Sequence, residues 1–178
     1  MKAIVYTRYG SPDVLKLQDV EKPVPTDDQV LVKVHAASAN PLDWHFMRGT
    51  PVFMRMDSGL RKPKNPRLGA DLAGTVEAVG KNVTEFKVGD EVFGSSFGTF
   101  AEYFCISEEG LAHKPANISF EQAAAVGVVA FTALQGLRDS GKIQAGRQVL
   151  VNGASGGVGT FAVQIAKSFG AEVTAVCS

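Results

Sequence analysis

Val149-Leu-Val-Asn-Gly-Ala-Ser-Gly-Gly-Val-Gly-Thr160 holds two overlapping glycine patterns, and each implies different chemistry. Gly153 to Gly157 reads G-x-S-x-G, the sharp strand-to-helix turn that presents a nucleophilic serine, here Ser155, for acyl transfer. Ala154 to Gly159 reads A-x-G-x-x-G, close to the fingerprint that sets a pyrophosphate against a helix N-terminus. Both need a strand, a turn and a helix, so local context does not separate them. The rest of the chain does. A hydrolase elbow requires an acid and a histidine after the serine. His35, His45 and His113 all precede it, and the only acidic residue that follows is Glu172, inside an expected strand.

The phosphate-binding pattern is therefore favoured. Small residues at Ala154, Gly156 and Gly159 suit, in turn, the tight turn, the approach of backbone to phosphate, and the packing of helix on strand. Ser155, Gly157 and Val158 complete the cradle, with the Ser155 hydroxyl as a further donor on its rim. A glycine-rich turn that holds no ligand is the plain alternative. A cofactor without a 2′-phosphate is usually held by a carboxylate at the end of the second strand, about twenty residues on. Val176-Cys177-Ser178 supplies none, and the Ser178 hydroxyl leaves room for a 2′-phosphate and can donate to it. NADPH is expected over NADH.

The elements that must position this turn are legible. Gln148 to Asn152 reads as a buried strand. Val158, Phe161, Ala162, Ile165, Ala166 and Phe169 then form one helical face, with Gly170 suited to the C′ position. Glu172 to Cys177 is strand again, giving a βαβ unit with a parallel pair. Upstream, Ser119 and Gln122 form a capping box for a helix broken near Gly127, and a second helical piece runs to about Arg138. The earlier chain is strand-like: Lys2 to Tyr6, the alternation of Val30, Val32 and Val34, Gly74 to Gly80, Glu91 to Phe93, and Gly98 to Ile106. Short strands with turn signals predict a β-barrel or sandwich over roughly residues 1–115.

Composition narrows the class. Lysine plus arginine equals aspartate plus glutamate, 18 each among 178 residues, which gives no support for nucleic-acid binding. The one basic run, Arg61-Lys-Pro-Lys64, sits among prolines and reads as a solvated loop. Cys105 and Cys177 form neither a disulfide framework nor a metal cluster, and both are expected to be inert core thiols. The N-terminal apolar run is too short for a signal peptide, and no stretch is long enough to span a bilayer. A cytoplasmic protein is expected.

Taken together, several segments resemble the medium-chain dehydrogenase/reductase superfamily. They are Gly69-Ala-Asp-Leu-Ala-Gly-Thr-Val-Glu-Ala-Val-Gly80, Val88-Gly-Asp-Glu-Val-Phe-Gly94, Gly98-Thr-Phe-Ala-Glu-Tyr103 and Asn152-Gly-Ala-Ser-Gly-Gly-Val-Gly159. Ala39-Asn-Pro-Leu-Asp43 with Arg48-Gly49 resembles its zinc-independent quinone oxidoreductase branch. The resemblance implies an α/β protein: an N-terminal GroES-like β-barrel carrying catalytic residues over 1–118, then linking helices and the first βαβ unit of a Rossmann domain over 119–178. It also implies a fold in which this chain is incomplete. Two parallel strands and one helix cannot bury both sheet faces, so a truncated chain is expected. Pairing of the open edge into a homodimer is a corollary.

Zinc-using members supply a cysteine, a G-H-E triplet and a second cysteine to the metal. Asn40 stands at the first position, Gly69-Ala70-Asp71 replaces the triplet, and a valine near 128 replaces the second cysteine. Zinc needs about four N, S or O ligands, so no zinc is expected. Without a Lewis acid the chemistry points away from alcohol oxidation and toward reduction of a quinone or an α,β-unsaturated carbonyl, which is already electrophilic. By resemblance Asn40 and Thr132 lie beside the nicotinamide, and Asp43 orients substrate or water. Each has a plainer reading: Asn40 in the turn before Pro41, Asp43 in its loop, and Thr132 bonding back to its own helix. Trp44, Phe46 and Met47 line an apolar pocket or pack the fold. His35 reads as exposed or structural, and His45 lacks metal partners. A module that keeps the barrel without catalysis is the alternative function.

Overall fold

The computed structural model describes residues 1–177; Ser178 lies outside the described residues. The chain divides into two compact units, Met1–Gly127 and Val128–Ser178.

The first unit grows from β-branched alternation. In β3 (Gln29–Ser38), Val30 and Val32 are fully buried while Lys33 and His35 face outward. Leu31 is buried as well, because a register shift between Leu31 and Val32 interrupts the strict alternation. β3 pairs antiparallel with β4 (Asp71–Val79) and β6 (Tyr103–Ser107). β4 in turn pairs with β5 (Glu91–Ser95), and β5 with β7 (Leu111–His113). The order β6-β3-β4-β5-β7 is open rather than closed into a ring by ladders. β1 (Lys2–Val5) and β2 (Lys16–Asp19) form a separate ribbon, tied on by bridges from Ala3 to Ala101 and from Val5 to Arg67. Val30, Val32, Leu72, Val76 and Val92 meet inside. Each such side chain contributes about 1.5–3 kcal/mol by leaving water.

Gly98 to Ile106 reads as one strand in the sequence, but β6 begins only at Tyr103. Gly98 has φ 112°, and the N–H groups of Gly98 and Phe100 donate to the carbonyls of Gly69 and Leu68. The segment is thus a loop laced to residues 68–69.

Three helices belong to this unit: α1 (Pro41–Arg48), the single turn α2 (Arg55–Ser58) and α3 (Phe120–Ala124). α3 has the capping box, with Gln122 N–H donating to Ser119 Oγ and Ser119 N–H to Gln122 Oε1. Its Ala123 and Ala124 pack on Ala73 of β4. α4 (Gly127–Leu134) starts at the expected break, and Gln135–Ser140 continues as a π-helix.

The second unit is the strand–helix–strand expected. β8 (Gln148–Asn152) and β9 (Glu172–Val176) are parallel, in register from Gln148 opposite Glu172 to Asn152 opposite Val176. α5 (Gly157–Ser168) turns Gly159, Ala162 and Ala166 inward, and Gly170 at φ 76° closes it in the left-handed conformation. Cys105 is half-buried, but Cys177, just past β9, is exposed, contrary to the expectation of a core thiol. Among the described residues, α5, Ala133 of α4 and Leu137 of the π-helical turn pack against this pair of strands, while Leu150 and Val176 are exposed. No helix among the described residues is long and apolar enough to cross a membrane.

Candidate active site

Asn40 ends β3's exit and caps α1, with Pro41 in the first turn. Its backbone is extended, φ −117° and ψ 155°, as the residue before a proline must be. Its side chain faces the start of β4. Nδ2 donates to Asp71 Oδ2 at 2.9 Å and approaches Ser38 Oγ at 3.1 Å. A carboxylate only accepts, so the amide nitrogen is the end that faces it. Asp71 is 1% exposed. Ser38 Oγ donates to its Oδ2 at 2.7 Å and Ser95 Oγ to its Oδ1 at 2.6 Å. Thr99 Oγ1 donates to its backbone carbonyl. Gly127 closes over this group: a Cβ there would meet Asp71 Oδ1 at 2.1 Å and Ser95 Oγ at 2.2 Å.

Asp43, also buried, holds the opposite side of the same corner. Its Oδ2 accepts the Asn40 backbone N–H at 2.7 Å and its Oδ1 accepts the Gly69 N–H at 2.9 Å. Burial pushes its carboxyl above the ordinary range, helped by the charge of Asp71 and opposed by those two N–H groups. Gly69 sits at φ 99°, and a Cβ there would strike Thr99 Oγ1. The carboxylate therefore ties α1 to the strand-entry loop, with both oxygens engaged.

Around this corner lies a cavity of about 240 Å³, walled by Tyr6, Phe46, Leu68 and Phe97 and edged by Lys64 and Arg67. Phe46 packs edge-on against Phe97. Of the three apolar residues singled out in the sequence, Phe46 lines the cavity, Met47 is core, and Trp44 is half-exposed with Arg48 over its ring. His45 Nδ1 is engaged with the Thr50 carbonyl, and His35 is exposed and stacked on Phe120. Among the described residues, no three His, Cys, Asp or Glu side chains come together as metal ligands.

The glycine turn of the second unit has the expected parts with one reassignment. Gly153, φ 75°, makes the tight turn, and Ala154 is instead buried in the core. The N–H groups of Gly153 and Ala154 both donate to the Val176 carbonyl, pinning the turn to the end of β9. Gly159 is the packing position: a Cβ there would meet Gly153 O at 2.2 Å and Ala154 Cα at 2.7 Å. Gly156 caps α5 and has open space, its nearest neighbour being Gly153 O at 3.4 Å. Gly157, Val158 and Gly159 begin α5, where a helix leaves N–H groups without an intrahelical acceptor. Ser155 is exposed, and all three histidines lie in the other unit. Thr132 Oγ1 donates to the Val128 carbonyl at 2.6 Å, the back-bonded arrangement within α4. The expectation for Ser178 lies outside the described residues.

Sequence reasoning did not find Tyr6, Ser38 or Ser95. Ser38 and Ser95 sit at strand ends with no motif to mark them. Tyr6 ends an apolar run, where a tyrosine is unremarkable by pattern.

Residues 26–116 match the alcohol dehydrogenase GroES-like domain. The chain is 44% identical over 177 residues to a quinone oxidoreductase of Pongo abelii, covering 97% of this chain and 51% of that protein. It is also 44% identical to a 2-methylene-furan-3-one reductase of Solanum lycopersicum, covering 100% of this chain and 47% of that protein. The Escherichia coli quinone oxidoreductase, solved in complex with NADPH, superposes with a TM-score of 0.85 at 31% identity, over 99% of this chain and 52% of that one. The chain spans about half the length of the curated relatives it matches. With that match over residues 26–116, the chain belongs to the alcohol dehydrogenase GroES-like family.

Proposed function

We propose that this chain carries the catalytic and first nucleotide-binding parts of a zinc-independent, NADPH-dependent reductase of quinones or α,β-unsaturated carbonyls. The observation that carries this reading is the turn from Gly153 to Gly159. It is tight at one glycine, close-packed at another, and open at Gly156, where a Cβ would fill the approach to the α5 N-terminus. Ser155, Gly157 and Val158 edge that approach. Residues of this kind fit a pyrophosphate. Absence of a carboxylate in Val176-Cys177, with Ser178 next, favours the 2′-phosphorylated cofactor.

When bound, the nicotinamide supplies a hydride. The chain's own part is orientation. Asn40 is fixed by Asp71 and Ser38, so its amide presents one face with little rotational freedom. Asp43 spends both oxygens on backbone N–H groups and acts by holding Asn40 and Gly69 in place, not as a proton carrier. Thr132 shapes α4, its hydroxyl proton already committed to Val128. The metal-ligand positions of zinc-using relatives are here occupied by an amide and a carboxylate bonded to each other. An activated alkene or quinone needs no Lewis acid, only hydrogen-bond donors for the oxyanion that develops.

The test uses the native polypeptide that carries this sequence. Saturable NADPH binding, with NADPH consumed on addition of a quinone or an enone, supports the reading. Stable folding without cofactor binding favours the non-catalytic module.

A further inference from the structure

Tyr6 follows β1 and is 3% exposed, packed among Val14, Met47 and Leu68. Buried tyrosines usually satisfy their hydroxyl, yet among the described residues no hydrogen bond to it is found. Thr50 Oγ1 is the one sealed side-chain polar atom lacking a partner among those residues. The Tyr6 hydroxyl is therefore reachable, and the space it borders is the cavity shared with Phe46, Leu68 and Phe97. Asp43 borders the same space and accepts the Asn40 and Gly69 N–H groups, but among the described residues no hydrogen bond joins it to the Tyr6 hydroxyl.

We propose that the Tyr6 hydroxyl is the specificity-determining donor of this cavity, hydrogen-bonding the carbonyl oxygen of a small planar apolar ligand. The choice of a quinone or enone as that ligand rests on the function proposed above. Three features define the fit. The volume of about 240 Å³ lies below the range of roughly 300–1,000 Å³ typical of drug-sized ligands, which selects one or two fused rings or a short enone. The walls are aromatic and aliphatic, which suits a flat apolar body. Lys64, Arg67 and Asn65 stand at the edge beside Asp57, so hydrogen-bond donors are at hand for an oxygen of the ligand. The tyrosine remains a donor at any physiological pH: burial, with the nearby Tyr9 and Asp43, pushes it up to about 12. A hydrocarbon of the same shape leaves the hydroxyl unpaired and binds less well.

The test compares the native polypeptide with Tyr6→Phe, using 1,4-naphthoquinone and naphthalene as probes. Calorimetric titration should show naphthoquinone binding about tenfold weaker in Y6F, the worth of one hydrogen bond. Naphthalene and NADPH affinities should be unchanged. The infrared carbonyl band of bound naphthoquinone should lie lower in the wild type than in Y6F, a signature that altered packing does not produce. Equal naphthoquinone affinity and equal carbonyl bands in the two proteins overturn the proposal, as does absence of naphthoquinone binding. Tyr6-dependent binding without NADPH consumption keeps this inference and refutes the reductase reading. Turnover that is indifferent to Y6F does the reverse.

Discussion

The side-chain nitrogen of Asn40 donates to Asp71 Oδ2 at 2.9 Å across 31 residues of sequence. That bond joins the exit of β3 to the start of β4. Ser38 and Ser95 donate to the same carboxylate. Asp71→Ala strands the donors of Asn40, Ser38 and Ser95, among others, in a buried corner. The expected cost is about 3 kcal/mol of unfolding free energy, measured by urea denaturation. Asn40→Ala removes one donor only and should unfold within about 1–1.5 kcal/mol of wild type. It should nonetheless lower NADPH-dependent quinone turnover about tenfold or more. Comparable losses of stability in both variants would count against a positioning role for Asn40.

Asp43 gives the fold a definite pH dependence. Its folded carboxyl titrates above the ordinary value because it is buried. Between about pH 3.9, where an unfolded aspartate titrates, and the raised folded value, the native state holds the extra proton. This group's contribution to stability therefore falls as pH rises through that window, and its penalty is complete above the folded value. Asp43→Asn removes that slope. It also offers one acceptor oxygen to two backbone N–H groups and should cost about 1–3 kcal/mol. Chemical denaturation across the window reads both effects.

Gly156 and Gly159 separate a ligand cradle from a mere turn. A methyl at Gly156 reaches only Gly153 O at 3.4 Å, so Gly156→Ala should leave stability within about 0.5 kcal/mol. It should weaken NADPH binding about tenfold or more, because the methyl occupies the phosphate approach. A methyl at Gly159 collides with backbone at 2.2 Å, so Gly159→Ala should destabilise by about 1–3 kcal/mol. Calorimetric titration paired with thermal unfolding distinguishes them. An unchanged NADPH affinity in G156A would show that the turn is not the cradle.

Metal independence is checked by elemental analysis and by chelator treatment. The account expects no stoichiometric zinc and turnover unaffected by prolonged EDTA dialysis. Zinc retained at one per chain, with activity lost on its removal, would refute it.

Much of this was legible in sequence, for reasons that differ by element. The bounds of the Gln148–Asn152 strand and of α5 are set by local periodicity and the structure follows them, but the strand expected to be buried buries only Val151, and Val158 of the expected helical face is exposed. The capping box at Ser119 is likewise local chemistry. Three features depended on contacts distant in sequence. The loop at residues 98–102 reads as strand by composition, but the carbonyls of Leu68 and Gly69 capture its backbone N–H groups. Asp43 reads in sequence either as orienting substrate or water or as structural in its loop, and its oxygens accept the N–H groups of Asn40 and of Gly69, 26 residues away. Cys177 looks like a core thiol by strand composition, yet core status depends on what covers the sheet face. The Tyr6 cavity had no sequence mark, because its walls come from four separated segments.

The most direct test of the central claim is the rate of NADPH oxidation by the native polypeptide with a quinone acceptor, in metal-free buffer, against the same assay with NADH. The account predicts saturable turnover with kcat/KM about tenfold or more in favour of NADPH. Absence of turnover with either cofactor, or turnover that appears only when zinc is supplied, would contradict it.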